Sequence, residues 1–186
     1  MRKVFKKIAQ VVDKVSEYLA LIGSLAGLGL LFAGPYEVLM RYFFNSPTSW
    51  SGEINQFLLC AIISFCGGYV LLLGGHVRVD AVYQRFNLRQ QAYASLFTYL
   101  FAIAFLIFLV WQVWQGALDS YLWNEHSGTS FNPPIYPVKF IIVLGAVNML
   151  LQSIVQFFRY IKQAATGENQ MVEKTEILET SMRSNQ

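Results

Sequence analysis

The sequence feature that most constrains this chain is a stretch of 20 residues, 54–73, that contains no charged side chain. An α-helix rises about 1.5 Å per residue, so a helix of this length spans about 30 Å, the thickness of the hydrocarbon core of a bilayer. Polar and aromatic residues stand on both sides of the stretch: Trp50, Glu53, His76, Arg78 and Asp80. The pattern predicts a helix that crosses a membrane.

Three further apolar runs have a similar length, at residues 19–36, 93–114 and 137–158. Charged residues make up only 13% of the chain, about half their share in a typical soluble domain. We therefore predict an all-α membrane protein with four transmembrane helices. The basic residues are concentrated between the runs, a distribution that reports membrane orientation and does not indicate a nucleic-acid partner.

The distribution of Lys and Arg predicts the orientation of the four spans. Only Arg41 and Lys139 fall on one side of the membrane. The other side holds Arg2, Lys3, Lys6, Lys7, Lys14, Arg78, Arg85, Arg89, Arg159, Lys162, Lys174 and Arg183. Because positive residues concentrate on the cytoplasmic side, we expect both termini in the cytoplasm and residues 115–136 in the outer loop.

Two segments outside the spans are amphipathic. Residues 1–18 place apolar and cationic side chains on opposite helical faces, which predicts a helix lying in the interface of the lipid bilayer. A solvated segment leading into the first span is the alternative. A second interfacial helix is predicted between spans two and three, where Arg85 and Arg89 alternate with Val82 and Phe86.

These patterns divide the chain into three parts. Residues 1–18 form the predicted interfacial helix, residues 19–162 the transmembrane domain, and residues 163–186 a flexible cytoplasmic tail. Residues 33–35 offer no small-x-small cleavage pattern, so the first span is expected to remain uncleaved.

The chain carries few groups suited to catalysis or cofactor binding. His76 and His126 are expected on opposite sides of the membrane, so they cannot ligate one haem together. Cys60 and Cys66 lie about 9 Å apart along one predicted helix, too far for a disulfide. We therefore expect no enzyme activity and no cofactor in this chain.

Four charged residues are predicted near the outer surface, and they are the first candidates for an assembly site. Glu37 and Arg41 stand four residues apart after span one, Glu53 opens span two, and Lys139 opens span four. At similar depth they could form a network that fixes helix assembly. The alternative is that each side chain reaches the interface separately. A proton relay is less favoured, since no acid lies near the bilayer midplane.

Span four has a polar face at membrane depth, because Asn148, Gln152 and Gln156 recur every four residues. Exposing amides to lipid is costly, so this face is expected to meet another helix or a partner chain. Small residues on other spans also predict close helix contacts: Gly23, Gly27, Ser64, Gly67 and Gly68.

Several of these residues, in this order, resemble the pattern of a known family. They are Glu37, Arg41, Asn45, Pro47, Trp50, Glu53, Gly67, Gly68, His76, Val77, Arg78, Val79, Asp80, Pro134, Pro137 and Lys139. The family is the small membrane subunit, or DctQ-like small permease, of tripartite ATP-independent periplasmic (TRAP) transporters. The resemblance covers roughly residues 15–162.

The resemblance implies a scaffold in the bacterial inner membrane. Its implied partners are a large membrane subunit, which carries the solute and sodium, and a periplasmic binding protein, which captures a small organic anion or related solute. The side chains predicted to make assembly or docking contacts are Glu37, Arg41, Trp50, Glu53, Lys139, Asn148 and Gln152.

Two other functions remain open from the residues alone. One is the membrane anchor subunit of a redox complex, and the other is a free-standing membrane adaptor. Both are compatible with four spans, whereas the motif order favours the transporter subunit.

Overall fold

The computed structural model describes residues 2–74 and 88–166, and within them the side chains of residues 6–74 and 94–162. Four α-helices account for most of these residues: α1 (Arg2–Tyr42), α2 (Ser51–Leu72), α3 (Leu88–Leu122) and α4 (Tyr136–Thr166). Each is long and apolar enough to cross a membrane. The part of the chain that the structure describes is therefore helical, with four helices of spanning length, as the sequence predicts.

Two predicted segments fall largely outside the described residues. The second interfacial helix was placed before span three, mostly within residues 75–87. The flexible tail was placed at residues 163–186, of which 167–186 are not described. Both, like the orientation of the termini, stay predictions.

The N-terminal segment continues directly into the first span. The charge pattern predicts a separate helix over residues 1–18, but α1 runs without a break from Arg2 to Tyr42. At about 1.5 Å per residue, its 41 residues reach about 60 Å, twice the hydrocarbon thickness. Packing explains the continuity, because Ala9 and Val12 are buried against Val155 of α4. An interfacial position for this end of α1 remains a prediction.

Helix α4 lies at the centre of the arrangement. It packs extensively against α3 and α2, and α2 in turn packs against α1, which touches α4 mainly near its own N-terminal end. In the most apolar stretch of α4, 44% of residues are buried, compared with 11% in α1. The order across the protein is therefore α1, α2, α4 and α3, with α1 and α3 as flanks.

Small residues allow α2 and α4 to approach closely. A Cβ atom added to Gly145 would lie 2.5 Å from the carbonyl oxygen of Ser64 and 2.6 Å from its Cα. A Cβ added to Gly68 would overlap the Asn148 amide. At Gly23 of α1, an added Cβ would lie 2.7 Å from the Cys66 Sγ of α2. Most of the small residues that the sequence indicates thus lie in helix contacts.

The contact at Gly145 generates a prediction about stability. Gly145→Ala should push the backbones of α4 and α2 apart, because the new methyl group meets main-chain atoms that cannot rotate away. Overpacking of this kind costs about 1–3 kcal/mol. We expect a lower thermal unfolding midpoint for the purified protein in detergent.

Gly116→Ala in α3 is the matched control, since a Cβ there meets no atom within 4 Å. It should leave the midpoint unchanged or raise it slightly, because alanine favours a helix. Equal midpoints for Gly145→Ala and the unmodified protein would show that α2 and α4 are not in close contact.

Candidate functional site

Polar side chains gather in two places, and the first is the buried face of α4, called here the amide stripe (Asn148, Gln152 and Gln156). These side chains are 3%, 0% and 1% exposed. Their spacing of four residues puts them on one face of the helix, which turns toward α1 and α2. Of the two alternatives open from sequence, the stripe meets the chain's own helices.

Two members of the amide stripe bind α1. The Ser16 hydroxyl donates to Asn148 Oδ1 at 3.0 Å, and Gln152 Nε2 donates to Asp13 Oδ1 at 3.1 Å. Two turns beyond Gln152 on α4, Arg159 forms an ion pair with Asp13 Oδ2 at 2.6 Å. Asp13 therefore receives two side chains of α4, one on each carboxylate oxygen.

The third member binds the end of α2. Gln156 Nε2 donates to the carbonyl oxygens of Leu71 and Leu72, at 3.1 Å and 3.4 Å. The last four carbonyls of any helix lack partners within the helix, and in lipid no water replaces them. The Leu71 carbonyl also accepts the Gly74 amide at 3.1 Å. Gln156 thus adds side-chain hydrogen bonds to backbone carbonyls at the end of α2.

The second polar grouping lies at the opposite end of the helices, where Glu53 in the first turn of α2 meets the loop between α3 and α4. Glu53 is 9% exposed. Its Oε1 accepts hydrogen bonds from the hydroxyls of Ser127, at 2.9 Å, and of Thr129. Its Oε2 has no partner among the described residues. A buried carboxylate therefore anchors this loop on α2.

The loop itself, residues 123–135, is folded through its own hydrogen bonds. His126 pairs with Pro134 in an isolated β-bridge, and the Ile135 amide donates to the Glu125 carbonyl at 3.0 Å. Gly128 has a positive φ of 71°, and its amide donates to Asn132 Oδ1 at 3.0 Å. The loop is a compact turn seated on Glu53.

Glu37 forms a separate group at the end of α1. Its Oε1 forms an ion pair with Arg41 Nη2 at 2.9 Å, as the four-residue spacing predicts. Its Oε2 accepts hydrogen bonds from the Thr48 amide, at 3.2 Å, and from the Thr48 hydroxyl. Tyr36 stacks on Trp50 with ring centroids 5.9 Å apart. These contacts close the short connection between α1 and α2.

Lys139 pairs with a residue that sequence reasoning did not select. Its ammonium lies 2.5 Å from Glu125 Oε2, in the loop just before α4. This hydrogen bond and its charge hold the pKa of Glu125 below its ordinary value. Glu37, Glu53 and Lys139 thus each have different partners among the described residues, whereas one of the two alternatives open from the sequence joins them in a single network.

Sequence reasoning missed Asp13, Ser16 and Arg159 as partners of the amide stripe, and Ser127, Thr129 and Glu125 as partners of the outer residues. One signal was available in the sequence. Arg159 follows Gln156 by one helical turn, so it extends the polar face of α4 and indicates an acidic partner on a neighbouring helix. Among the described residues, no group of His, Cys, Asp or Glu is placed to hold a metal ion. The role of the seven predicted residues in assembly or docking stays a prediction.

The hydrogen bonds of Gln156 lead to a prediction for the amide stripe. Gln156→Leu keeps the side-chain volume but removes the side-chain donor to the Leu71 and Leu72 carbonyls, so the protein should lose about 1–3 kcal/mol of stability. Thermal unfolding in detergent measures the loss. Gln115→Leu, at an exposed position of α3, is the control and should change little. Equal effects of the two substitutions would show that the hydrogen bonds from Gln156 to the end of α2 do not stabilise the protein.

The Glu125–Lys139 pair predicts a dependence of stability on pH. Because the pKa of Glu125 is lowered in the folded state, the stabilisation is present above the ordinary value of 4.5 and is lost as the pH falls through the lowered value. Unfolding midpoints of the protein and of Glu125→Gln should therefore differ at pH 6–7, and the difference should shrink as the pH falls below 4.5. A difference that stays constant throughout the acid range would contradict this.

Comparison with known proteins agrees with this helical arrangement. The family described as tripartite ATP-independent periplasmic transporters, DctQ component, matches residues 30–163, more than two thirds of the chain. A TRAP transporter small permease protein of Haemophilus influenzae is 32% identical over 80 residues, which is 42% of this chain and 46% of that protein. The C4-dicarboxylate TRAP transporter small permease protein DctQ of Vibrio cholerae is 25% identical over 124 residues, or 65% and 52%.

The matched regions span about half the length of these two relatives. The family match, in contrast, reaches from the middle of α1 to the end of α4 and takes in both polar groupings except for Asp13 and Ser16. With four helices of spanning length, the chain is a multi-pass protein of the bacterial inner membrane, and it belongs to the DctQ component family of the TRAP transporters.

Proposed function

We propose that this chain is the small membrane subunit of a TRAP transporter, where it supports a large sodium-coupled subunit and helps dock a periplasmic binding protein. The observation that carries the proposal is the amide stripe of α4. Its side chains bind α1 and α2 within the chain and hold those helices in place. Hydrogen bonds between helices make the protein rigid, and a rigid protein is suited to support a partner subunit.

The flanks of the protein supply surface for a large membrane partner. Leu21, Leu25, Leu28 and Phe32 of α1 are all about half exposed or more, and so are Phe97 and Phe101 of α3. Helices in lipid associate through packing of such surfaces and not through a hydrophobic driving force. The large subunit would therefore bind through the shape complementarity of packed side chains. The fixed order of the helices keeps that surface in a constant shape.

The outer loop supplies a surface for the binding protein. Residues 123–135 are folded on the buried carboxylate of Glu53, and Glu125, His126 and Phe131 remain exposed on it. A preformed loop loses little entropy on binding, which favours docking. The periplasmic placement of this loop follows from the Lys and Arg distribution.

The proposed solute is a small organic anion or a related compound. Support comes from the Vibrio cholerae relative, whose name assigns it to C4-dicarboxylate transport. Solute and sodium binding are proposed for the large subunit, so no cofactor or ion is assigned to this chain.

The proposal is tested by co-expressing this chain with a large membrane subunit and a binding protein encoded beside it. We expect the large subunit to co-purify with the tagged chain, and sodium-dependent uptake in vesicles to disappear when the chain is deleted. Purification of the chain alone, with full uptake in its absence, would contradict the proposal.

Glu53→Ala tests the outer loop separately from assembly. Without the Glu53 acceptor, Ser127 and Thr129 of the loop lose their hydrogen bonds to α2, so we expect uptake to fall roughly tenfold, the effect of about 1.4 kcal/mol. Co-purification of the large subunit should persist. Glu17→Ala, at an exposed carboxylate near the other end of the protein, is the control. Unchanged uptake in Glu53→Ala would exclude the loop from docking.

A further inference from the structure

A groove of about 440 Å³ lies between α3 and α4, on the half of the helices nearest the outer loop. Its volume is in the range of small-molecule sites. The lining on α3 is apolar apart from Gln112, with Phe105, Phe108, Leu109 and Val113. The groove is separate from both the amide stripe and the Glu53 contact, and neither the family match nor the relatives' names assign it a ligand.

The groove has the length of one bilayer leaflet. Its lining on α3 runs from Phe105 to Gly116, 12 residues whose 11 steps span about 16 Å along the helix axis. The hydrocarbon core of a bilayer is about 30 Å thick, so one leaflet contributes about 15 Å. The groove therefore extends from the loop end of the helices to about the middle of the membrane.

The two ends of the groove differ in charge. The deep end is formed by Phe105 and Phe108, whereas the end near the loop carries Lys139 of α4. The Lys139 side chain is 31% exposed and pairs with Glu125, which is 45% exposed. An ammonium group has three N–H donors, so Lys139 can bind a second anion while it keeps this pair.

Gly116 keeps the mouth of the groove open. A Cβ added at this position would meet no atom within 4 Å. The next residue, Ala117, is fully buried, so the helix itself is tightly packed on its other side. A larger side chain at Gly116 could therefore fill the groove without disturbing the contact between α3 and α4.

We propose that this groove binds one phospholipid of the leaflet nearest the outer loop. An acyl chain lies along Phe105, Phe108 and Val113, and a phosphate oxygen accepts a hydrogen bond from Lys139 Nζ. An apolar channel one leaflet long with an ammonium donor at its mouth complements a phosphate group joined to a hydrocarbon chain. A helix of a partner protein, about 10 Å wide, would present side chains along its whole length and has no need of a cation at one end.

The proposal goes beyond the transporter function and is tested on the full-length chain alone. After extraction in mild detergent, native mass spectrometry counts the phospholipids that remain bound. We expect one retained phospholipid on the unmodified protein and at least a fivefold lower occupancy in Gly116→Leu. The matched control is Gly34→Leu in α1, where an added Cβ also meets no atom within 4 Å. It should retain the lipid fully.

A second comparison tests the headgroup contact and does not depend on the Gly116 variant. Titration with dioleoyl phosphatidylglycerol should give binding that is roughly five- to tenfold weaker in Lys139→Gln. Dioleoylglycerol, which has the same chains without phosphate, should bind the unmodified protein and Lys139→Gln equally and weakly.

Three results would overturn the proposal. The first is equal phospholipid occupancy in Gly116→Leu and the unmodified protein. The second is equal affinity for dioleoyl phosphatidylglycerol and dioleoylglycerol. The third is a cross-link from a cysteine at position 116 to a partner chain in the assembled complex, with no phospholipid retained, because it would place a protein segment in the groove.

Discussion

The structure depends on the pairing of polar groups where no water is available. Within a bilayer, an amide or a helix end without a hydrogen-bond partner is costly, so Asn148, Gln152 and Gln156 of α4 must find partners. Each finds at least one partner, on α1 or at the end of α2. Asn148 Nδ2 and Gln152 Oε1 are buried without a partner among the described residues. These directional contacts, added to close packing at Gly145, specify which helices adjoin α4 and in what register.

Because α4 makes the contacts that hold the helices together, the remaining surfaces are available for partners. With its polar groups engaged inside, the protein presents apolar flanks along α1 and α3, and a folded polar loop at one end. The loop is anchored to α2 through Glu53 and to α4 through Lys139. A shift of either helix would therefore move the loop, which couples the proposed docking surface to the packing in the membrane.

Much of this could be predicted from sequence, because hydropathy and helical periodicity are local properties. The four spans follow from uncharged runs, and the buried face of α4 follows from amides four residues apart. The partners could not be predicted, since Asp13 and Gln152 are 139 residues apart in sequence. For the same reason Lys139 was grouped with Glu53, whereas the fold of the loop brings Glu125 to it. The continuity of α1 was missed because charge pattern alone cannot distinguish a surface helix from one packed on α4.

Disulfide formation between Ser16→Cys and Asn148→Cys tests the central contact most directly. The two native side chains meet at 3.0 Å, so cysteines there, in a chain with Cys60 and Cys66 replaced by alanine, should be cross-linked by mild oxidation in intact membranes. The account predicts a disulfide that forms readily within one chain. On a non-reducing gel the protein should remain a monomer and show only a small shift in mobility. Absence of that disulfide, or its formation only between two chains, would contradict the claim that the amide stripe holds α1 within the protein.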